Sequence, residues 1–165
     1  MSGQPFTVRR GGPDDHAFLQ DMLYEAVSWR PGQTRPPREA VLGDPFLRRY
    51  VEGFGRRGDA AVISLHGATR IGAAWYRLFS ARKPGYGFVD PRTPELSIGV
   101  APGYRKKGAG TALLRALMEV AREQGFDALS LSVEVDNPAI RLYRRLGFET
   151  ASLAGNACTL RVSLR

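Results

Sequence analysis

The stretch Glu95-Leu96-Ser97-Ile98-Gly99-Val100-Ala101-Pro102-Gly103-Tyr104-Arg105-Lys106-Lys107-Gly108-Ala109-Gly110-Thr111 carries a two-residue alternation straight into a cationic, glycine-rich turn. Leu96, Ile98 and Val100 alternate with Glu95, Ser97 and Gly99, the pattern of a half-buried strand, and Pro102 and Gly103 stop it. A helix is expected from about Ala109 to Gln124, with Leu113, Leu114, Leu117, Met118, Val120 and Ala121 on its buried face and Gly125 ending it. Gly108 and Gly110 remove side chains where the first helical N–H groups emerge. Those unpaired donors and the positive end of the helix dipole form a seat for anions, beside which Arg105, Lys106 and Lys107 add charge. A bare glycine turn with solvated basic residues has the same local pattern, so the rest of the chain must decide its meaning.

Downstream, Leu129, Leu131, Val133 and Val135 alternate with Ser130, Ser132 and Glu134, which predicts a further strand. Asp136-Asn137-Pro138 is a helix-start signal, because Asn caps well and Pro is favoured in the first turn. The helix it opens runs from Ala139 to Leu146 and Gly147 closes it. Residues 148–153 and 157–164 then form an antiparallel pair about Gly155 and Asn156. Upstream, Phe6 and Val8 mark a short first strand, and Asp14 or Asp15 caps a helix that ends near Trp29. Residues 30–37 are a proline-rich loop, and 38–54 are helical but divided by Gly43 and Pro45. Strands over 60–65 and 70–79 flank a turn at His66-Gly67-Ala68-Thr69. Residues 80–94 are too rich in glycine and proline for regular structure, and so long a loop in a compact domain is often functional. This order predicts an α/β (α+β) fold in a single domain over 1–165: a mixed, mostly antiparallel sheet of six to seven strands flanked by about four helices.

The chain has 165 residues, 43% of them hydrophobic and 24% charged, which suits one soluble domain. Its apolar runs are short, and the N-terminus lacks the apolar core of a signal peptide, so no membrane partner and a cytoplasmic location are expected. The single Cys158 lies within an apparent strand and is expected to be buried filler. Two histidines, His16 and His66, without other ligands at metal spacing argue against a metal centre. With 24 Lys and Arg against 16 Asp and Glu, the net charge of +8 favours an anionic partner. That partner could be a nucleic acid, an acidic protein surface or a phosphorylated cofactor, and charge alone does not choose, although the arginines are scattered and no RNA-binding aromatic signature is present.

Two separate segments resemble the GNAT superfamily of acetyl-coenzyme A dependent N-acetyltransferases. Arg105-Lys106-Lys107-Gly108-Ala109-Gly110 is similar to its Arg/Gln-x-x-Gly-x-Gly/Ala pyrophosphate loop, and Asn137-Pro138-Ala139-Ile140-Arg141-Leu142-Tyr143-Arg144-Arg145-Leu146-Gly147-Phe148 is similar to its later strand-helix signature. The resemblance is close over residues 95–149 and elsewhere rests on the order of elements. Lys107 stands where the family often has glycine, and the two defining glycines are kept.

The resemblance implies that acetyl-CoA is the co-substrate, with no metal. It implies that Arg105, Lys106, Lys107, Gly108, Ala109, Gly110 and Thr111 hold the coenzyme A pyrophosphate, and that Ile98, Gly99 and Val100 pair with its pantetheine arm like an added strand. An amide near Ile98 to Val100 would polarise the thioester carbonyl. Tyr143 matches the family tyrosine that donates to the sulfur, and Asn137 would serve as both cap and cofactor contact. The implied reaction is direct attack of an amine on the acetyl carbonyl, with coenzyme A leaving as a thiol. An alkylamine with pKa ~10 needs a base, and a thiolate with pKa ~8.5 benefits from an acid. Glu95 is the first candidate base, with Glu134 and Glu25 as rivals. Glu25, Trp29, Tyr86 and Asp90, from two loop regions, are candidate walls for the acceptor, a small-molecule or peptide amine. A non-catalytic acetyl-CoA sensor is the competing function, and a homodimer is left open.

Overall fold

A computed structural model describes residues 6–165; Met1 to Pro5 of the N-terminal stretch read above lie outside the described residues. Seven strands form one sheet in the order β1-β2-β3-β4-β5-β7-β6. They are β1 (Thr7–Arg10), β2 (Ala60–His66), β3 (Thr69–Arg77), β4 (Glu95–Val100), β5 (Ala128–Glu134), β6 (Glu149–Ala154) and β7 (Ala157–Ser163). The helices are α1 (His16–Val27), α2 (Arg38–Leu42), α3 (Ala109–Glu123) and α4 (Ile140–Arg145). Every neighbouring pair is antiparallel except β4 and β5, which are parallel. This is the mixed, mostly antiparallel sheet with four helices that the alternation and breaker residues predict.

Strand alternation sends successive side chains to opposite faces, and each face has its own core. On one face α3 lays Leu113, Leu114 and Leu117 against Val62, Ala74, Leu96, Leu129 and Leu131, all fully or almost fully buried. The other face packs Ile63, Ala73 and Trp75 against Phe18, Leu19, Met22 and Leu23 of α1 and against Tyr50 and Val51. Helix α1 sits close on β4: a Cβ at Gly99 would fall inside van der Waals contact with the Met22 carbonyl.

Three local expectations are corrected. Asp15 stands at the α1 N-cap position but does not cap that helix; its carboxylate accepts the Gly12 amide at 2.8 Å and closes the 3-10 turn Pro13–Asp15. Arg9 and Arg70 also donate to it, and the Arg9 guanidinium above all holds its carboxyl well below the usual range. Residues 38–54 are divided at Gly43 and Pro45 as expected, into α2 and a second piece, Leu47–Tyr50, that is a 3-10 turn rather than α-helix. Gly43 and Pro45 break the run, and the Asp44 side chain accepts the Phe46 and Leu47 amides to start the turn. The third strand ends at Arg77 rather than at Phe79. There the Arg77 guanidinium is pulled into the interior, paired with Asp59 and donating to the carbonyls of Arg49, Glu52 and Gly53.

Candidate active site

The site begins where β4 and β5 part. Their ladder has one register pair, Glu95 opposite Ser130, after which each strand follows its other neighbour. From Leu96 to Val100 the β5-facing edge of β4 therefore has backbone groups without a strand partner. In the interior such groups demand hydrogen bonds, and an extended ligand laid along the edge supplies them. The wedge widens toward the C-terminal end of β4, where the glycine turn lies.

The turn is built to expose amides. Lys106 (φ 61°) and Gly108 (φ 94°) both adopt left-handed backbone, and Gly108 is the α3 N-cap without a side-chain cap. The first intrahelical bond runs from Ala112 N–H to the Gly108 carbonyl, so the amides of Ala109, Gly110 and Thr111 have no helical acceptor. Lys106 and Lys107 are exposed beside them. Arg105 is half-buried and braces the turn, donating to the Val100 carbonyl at 3.0 Å and to Glu25 Oε1 at 3.0 Å. These residues fit a pyrophosphate: free donors, a helix N-terminus and mobile positive charge converge on one open surface. Gly110 also brings the two motif segments together, since a Cβ there would lie 3.3 Å from Leu142 of α4 and 4.0 Å from Ile98 of β4.

On α4, Tyr143 is buried, with its ring edge-on to Phe148 at 5.8 Å. Its hydroxyl makes no hydrogen bond among the described residues. Burial pushes its pKa up to about 12. Asn137 keeps its capping role in altered form: its side chain accepts the Ala139 amide at 2.9 Å and its carbonyl accepts the Ile140 amide at 3.1 Å. The first full turn of α4 starts after that loop, at Ile140.

Glu95 is the buried carboxylate at the apex of the wedge, 2% exposed. Burial raises its pKa to about 7 against the opposing pull of the Tyr50 hydroxyl and the Gly87 amide. Tyr50 donates to Glu95 Oε2 at 2.6 Å, while Oε1 has no formed hydrogen bond. The irregular segment 78–94 folds over this point, tied to β5 by the Ser130 hydroxyl donating to the Gly87 carbonyl at 2.8 Å.

The carboxylates proposed beside it are differently engaged. Glu25 is held by Arg35 at 2.6 Å as well as by Arg105, so it links the 28–37 loop to the glycine turn. Asp90 accepts from the Arg92 amide and the Thr93 hydroxyl and thereby shapes its own turn. Glu134 is gripped by Arg30 at 2.6 Å, and Arg30 also meets Asp136 at 2.7 Å. The Arg30 guanidinium lies 4.5 Å over the Trp29 ring, so Trp29 is carried on an arm that reaches from the end of α1 to the end of β5. Tyr86 is 60% exposed and stacks on Phe46 at 4.1 Å. Sequence reasoning missed Tyr50 and Arg30. Tyr50 reads as one more apolar position at helical spacing, and Arg30 as one arginine among many, so neither had a signal. A cavity of about 290 Å³ between β1 and α3, lined by Arg9, Arg10, Glu119 and Glu123, contains none of these residues.

Among known proteins, the acetyltransferase (GNAT) family model matches residues 23–148. A mycothiol acetyltransferase of Corynebacterium aurimucosum is 37% identical over 138 residues, covering 77% of this chain and 40% of that protein. An L-methionine sulfoximine/L-methionine sulfone acetyltransferase of Pseudomonas paraeruginosa is 43% identical over 101 residues, 61% of this chain and 56% of the other. The chain thus spans less than half the length of the mycothiol acetyltransferases it matches. In fold it is similar to the PaiA N-acetyltransferase of Thermoplasma acidophilum, solved in complex with coenzyme A, with a TM-score of 0.70 at 17% identity over 96% of this chain and 99% of that one. With both motif segments meeting at Gly110 and the family match running through them, the chain belongs to the acetyltransferase (GNAT) family.

Proposed function

We propose that the protein is an acetyl-CoA-dependent N-acetyltransferase that transfers the acetyl group directly to a primary amine of a small-molecule or peptide acceptor. The observation that carries this reading is the parting of β4 from β5 after Glu95 and Ser130, which opens a wedge running from a buried carboxyl to a helix N-terminus stripped of side chains. Bound acetyl-CoA would supply a thioester as the acyl donor. Residues 105–111 hold its pyrophosphate through the Ala109, Gly110 and Thr111 amides, and the free edge at Ile98 to Val100 pairs with its extended arm. Residues 1–165 act as one domain in this reading, and the reaction takes place in the cytoplasm, where free coenzyme A thioesters are used.

Tyr143 and Glu95 serve opposite ends of the transfer. As the amine nitrogen bonds to the acetyl carbon the C–S bond breaks, and the coenzyme A thiolate, leaving beside Tyr143, takes up the second amine proton through water. A phenol at about 12 is a weaker acid than a thiol at ~8.5, so Tyr143 donates a hydrogen bond to the departing sulfur rather than surrendering its proton. Glu95, poised near 7 and enclosed, accepts the acceptor's proton at Oε1 through water rather than by touching the amine. Trp29, on the Arg30 arm, and Tyr86, above Phe46, form the acceptor walls, whereas Glu25 and Asp90 support them from behind.

The test is thiol release from acetyl-CoA against a panel of amines. At least one amine should give turnover, and Tyr143→Phe should lower kcat about 10- to 100-fold with the KM for acetyl-CoA little changed. Tight coenzyme A binding with no thiol release from any amine would overturn the enzyme in favour of a sensor.

A further inference from the structure

Tyr50 is pinned at three points. Its carbonyl accepts the Trp75 indole N–H at 2.8 Å, its ring lies edge-on to Phe79 at 5.3 Å, and its hydroxyl accepts the Tyr86 amide at 2.7 Å while donating to Glu95. A phenol whose oxygen already takes an amide proton has one direction left in which to donate, so its hydrogen is aimed at Oε2. Burial and the facing carboxyl drive the Tyr50 pKa far above its ordinary value, so it does not exchange roles with Glu95.

Across from it, Gly85 lies against the other carboxylate oxygen. A Cβ there would overlap Glu95 Oε1 outright and sit 2.8 Å from the Tyr50 hydroxyl. Apart from the Gly87 amide, which also favours the charged carboxylate, the remaining neighbours are electrically quiet toward it. Arg77, its partner on β3, spends its guanidinium on Asp59 and three carbonyls. The Arg49 guanidinium lies over Phe46 and donates to the Pro84 carbonyl, and β5 presents the neutral Ser130. Tyr50 is thus the one side chain that grips Glu95, and the same hydroxyl grips the segment that carries Tyr86.

We infer that Tyr50 is a positioning residue for the acetyl transfer, holding Glu95 Oε2 and the Tyr86 amide with one hydroxyl so that Oε1, enclosed against Gly85 without a hydrogen bond, is the oxygen that takes the acceptor's proton through water. The inference rests on Glu95 as base. In the step it serves, the ammonium N–H bond of the acceptor breaks, its electron pair stays on nitrogen for attack, and the proton ends on Glu95 Oε1. Tyr50 touches neither substrate; it fixes which oxygen is free and how readily it ionises. It also ties the placement of the base to the placement of the acceptor wall.

The direct experiment is carbon-13 NMR titration of the Glu95 carboxyl in the otherwise unmodified protein, its resonance assigned by its loss in Glu95→Gln. The wild-type midpoint is expected near 7. Removing a donor that favours the charged form should raise it by about one unit in Tyr50→Phe. The acid limb of kcat/KM should move with it, while the KM for the amine rises and that for acetyl-CoA stays. An unchanged midpoint in a Tyr50→Phe protein that melts like wild type overturns the inference. If Tyr50→Phe does not fold, Gly85→Ala is the second probe: its methyl displaces Oε1, so kcat at high pH should fall at least tenfold with coenzyme A binding intact, and a wild-type plateau overturns the inference. Retained turnover in Glu95→Gln would instead remove the base, an outcome the titration distinguishes because it reads the hold of Tyr50 on the carboxyl without any turnover.

Discussion

The two faces of the sheet are built on opposite principles. Under α3 the interior is mainly aliphatic: Leu113, Leu114, Leu117, Leu129 and Leu131 are sealed from solvent, with the rings of Tyr76 and Phe148 among them, and the chemistry on that side is left to backbone amides and Tyr143. Under α1 and the irregular segments, a buried glutamate, a buried Arg77–Asp59 pair and the Arg30 and Arg105 bridges share the space with aromatic rings. On the proposed reading, the donor side can be apolar because every acetyl-CoA is the same and its phosphates would be met by main chain. The acceptor side must hold ionisable groups in place, and it does so at a cost in stability. Cutting into each face should therefore have opposite consequences.

The largest effect belongs to the aliphatic face. Leu114→Ala deletes a side chain with no exposure, and the helix cannot close the gap without moving off β2 and β3. We expect a loss of about 2 to 5 kcal/mol by denaturant titration, with kcat per folded molecule close to wild type.

Glu95→Gln should reverse both signs. Below pH ~4.5 the carboxyl is protonated whether the chain is folded or not. Between there and about 7 the unfolded chain releases the proton and the folded one retains it, so the wild type loses stability as pH rises through that window. The full loss is on the order of 3 kcal/mol above pH 8. Glutamine cannot ionise and still accepts from Tyr50, so the variant should melt higher than wild type at pH 9 and nearly together with it at pH 4. Turnover should fall about 100- to 1000-fold in the same protein. Equal melting temperatures at pH 9 would mean that Glu95 is not held near neutrality, and the contrast between the faces would lose its sharpest case.

How much of this was legible follows the same divide. The β4 alternation, the glycine turn and the α3 stripe are local patterns with fixed periods, so their placement was open to reading, whereas the meeting of the Gly110 turn with the Asn137 segment came from the fold. The capping role of Asn137 was legible too, although its bond closes a turn before the helix proper. On the acceptor face the information is non-local. Tyr50 and Glu95 are 45 positions apart, and Arg30 and Asp136 are 106 apart, with no period linking either pair. Glu25, Glu95, Asp90 and Glu134 look alike as carboxylates in a chain. Only the fold separates the one buried beside a phenol from those engaged by guanidinium groups, an amide and a hydroxyl.

The smallest effect tests whether the acceptor face depends on its ionic bridges for shape rather than stability. Arg30 joins the exit of α1 to Glu134 and Asp136 with a side chain that remains partly open to water, and bridges of that kind add little to folding. The neighbouring carboxylates keep a second support in part, since the Asn156 amide also donates to Glu134 at 3.2 Å. Arg30→Ala should therefore leave the melting curve where it is. It should raise the KM for the amine several-fold by freeing the arm that carries Trp29, and leave the KM for acetyl-CoA untouched, because the glycine turn is braced separately through Arg105 and Glu25. Arg30→Lys should rescue only in part, as a single ammonium cannot hold Asp136 through two parallel bonds while also holding Glu134. A rise in the acetyl-CoA KM instead would move Arg30 to the donor side of the wedge and erase the boundary between the two faces at that point.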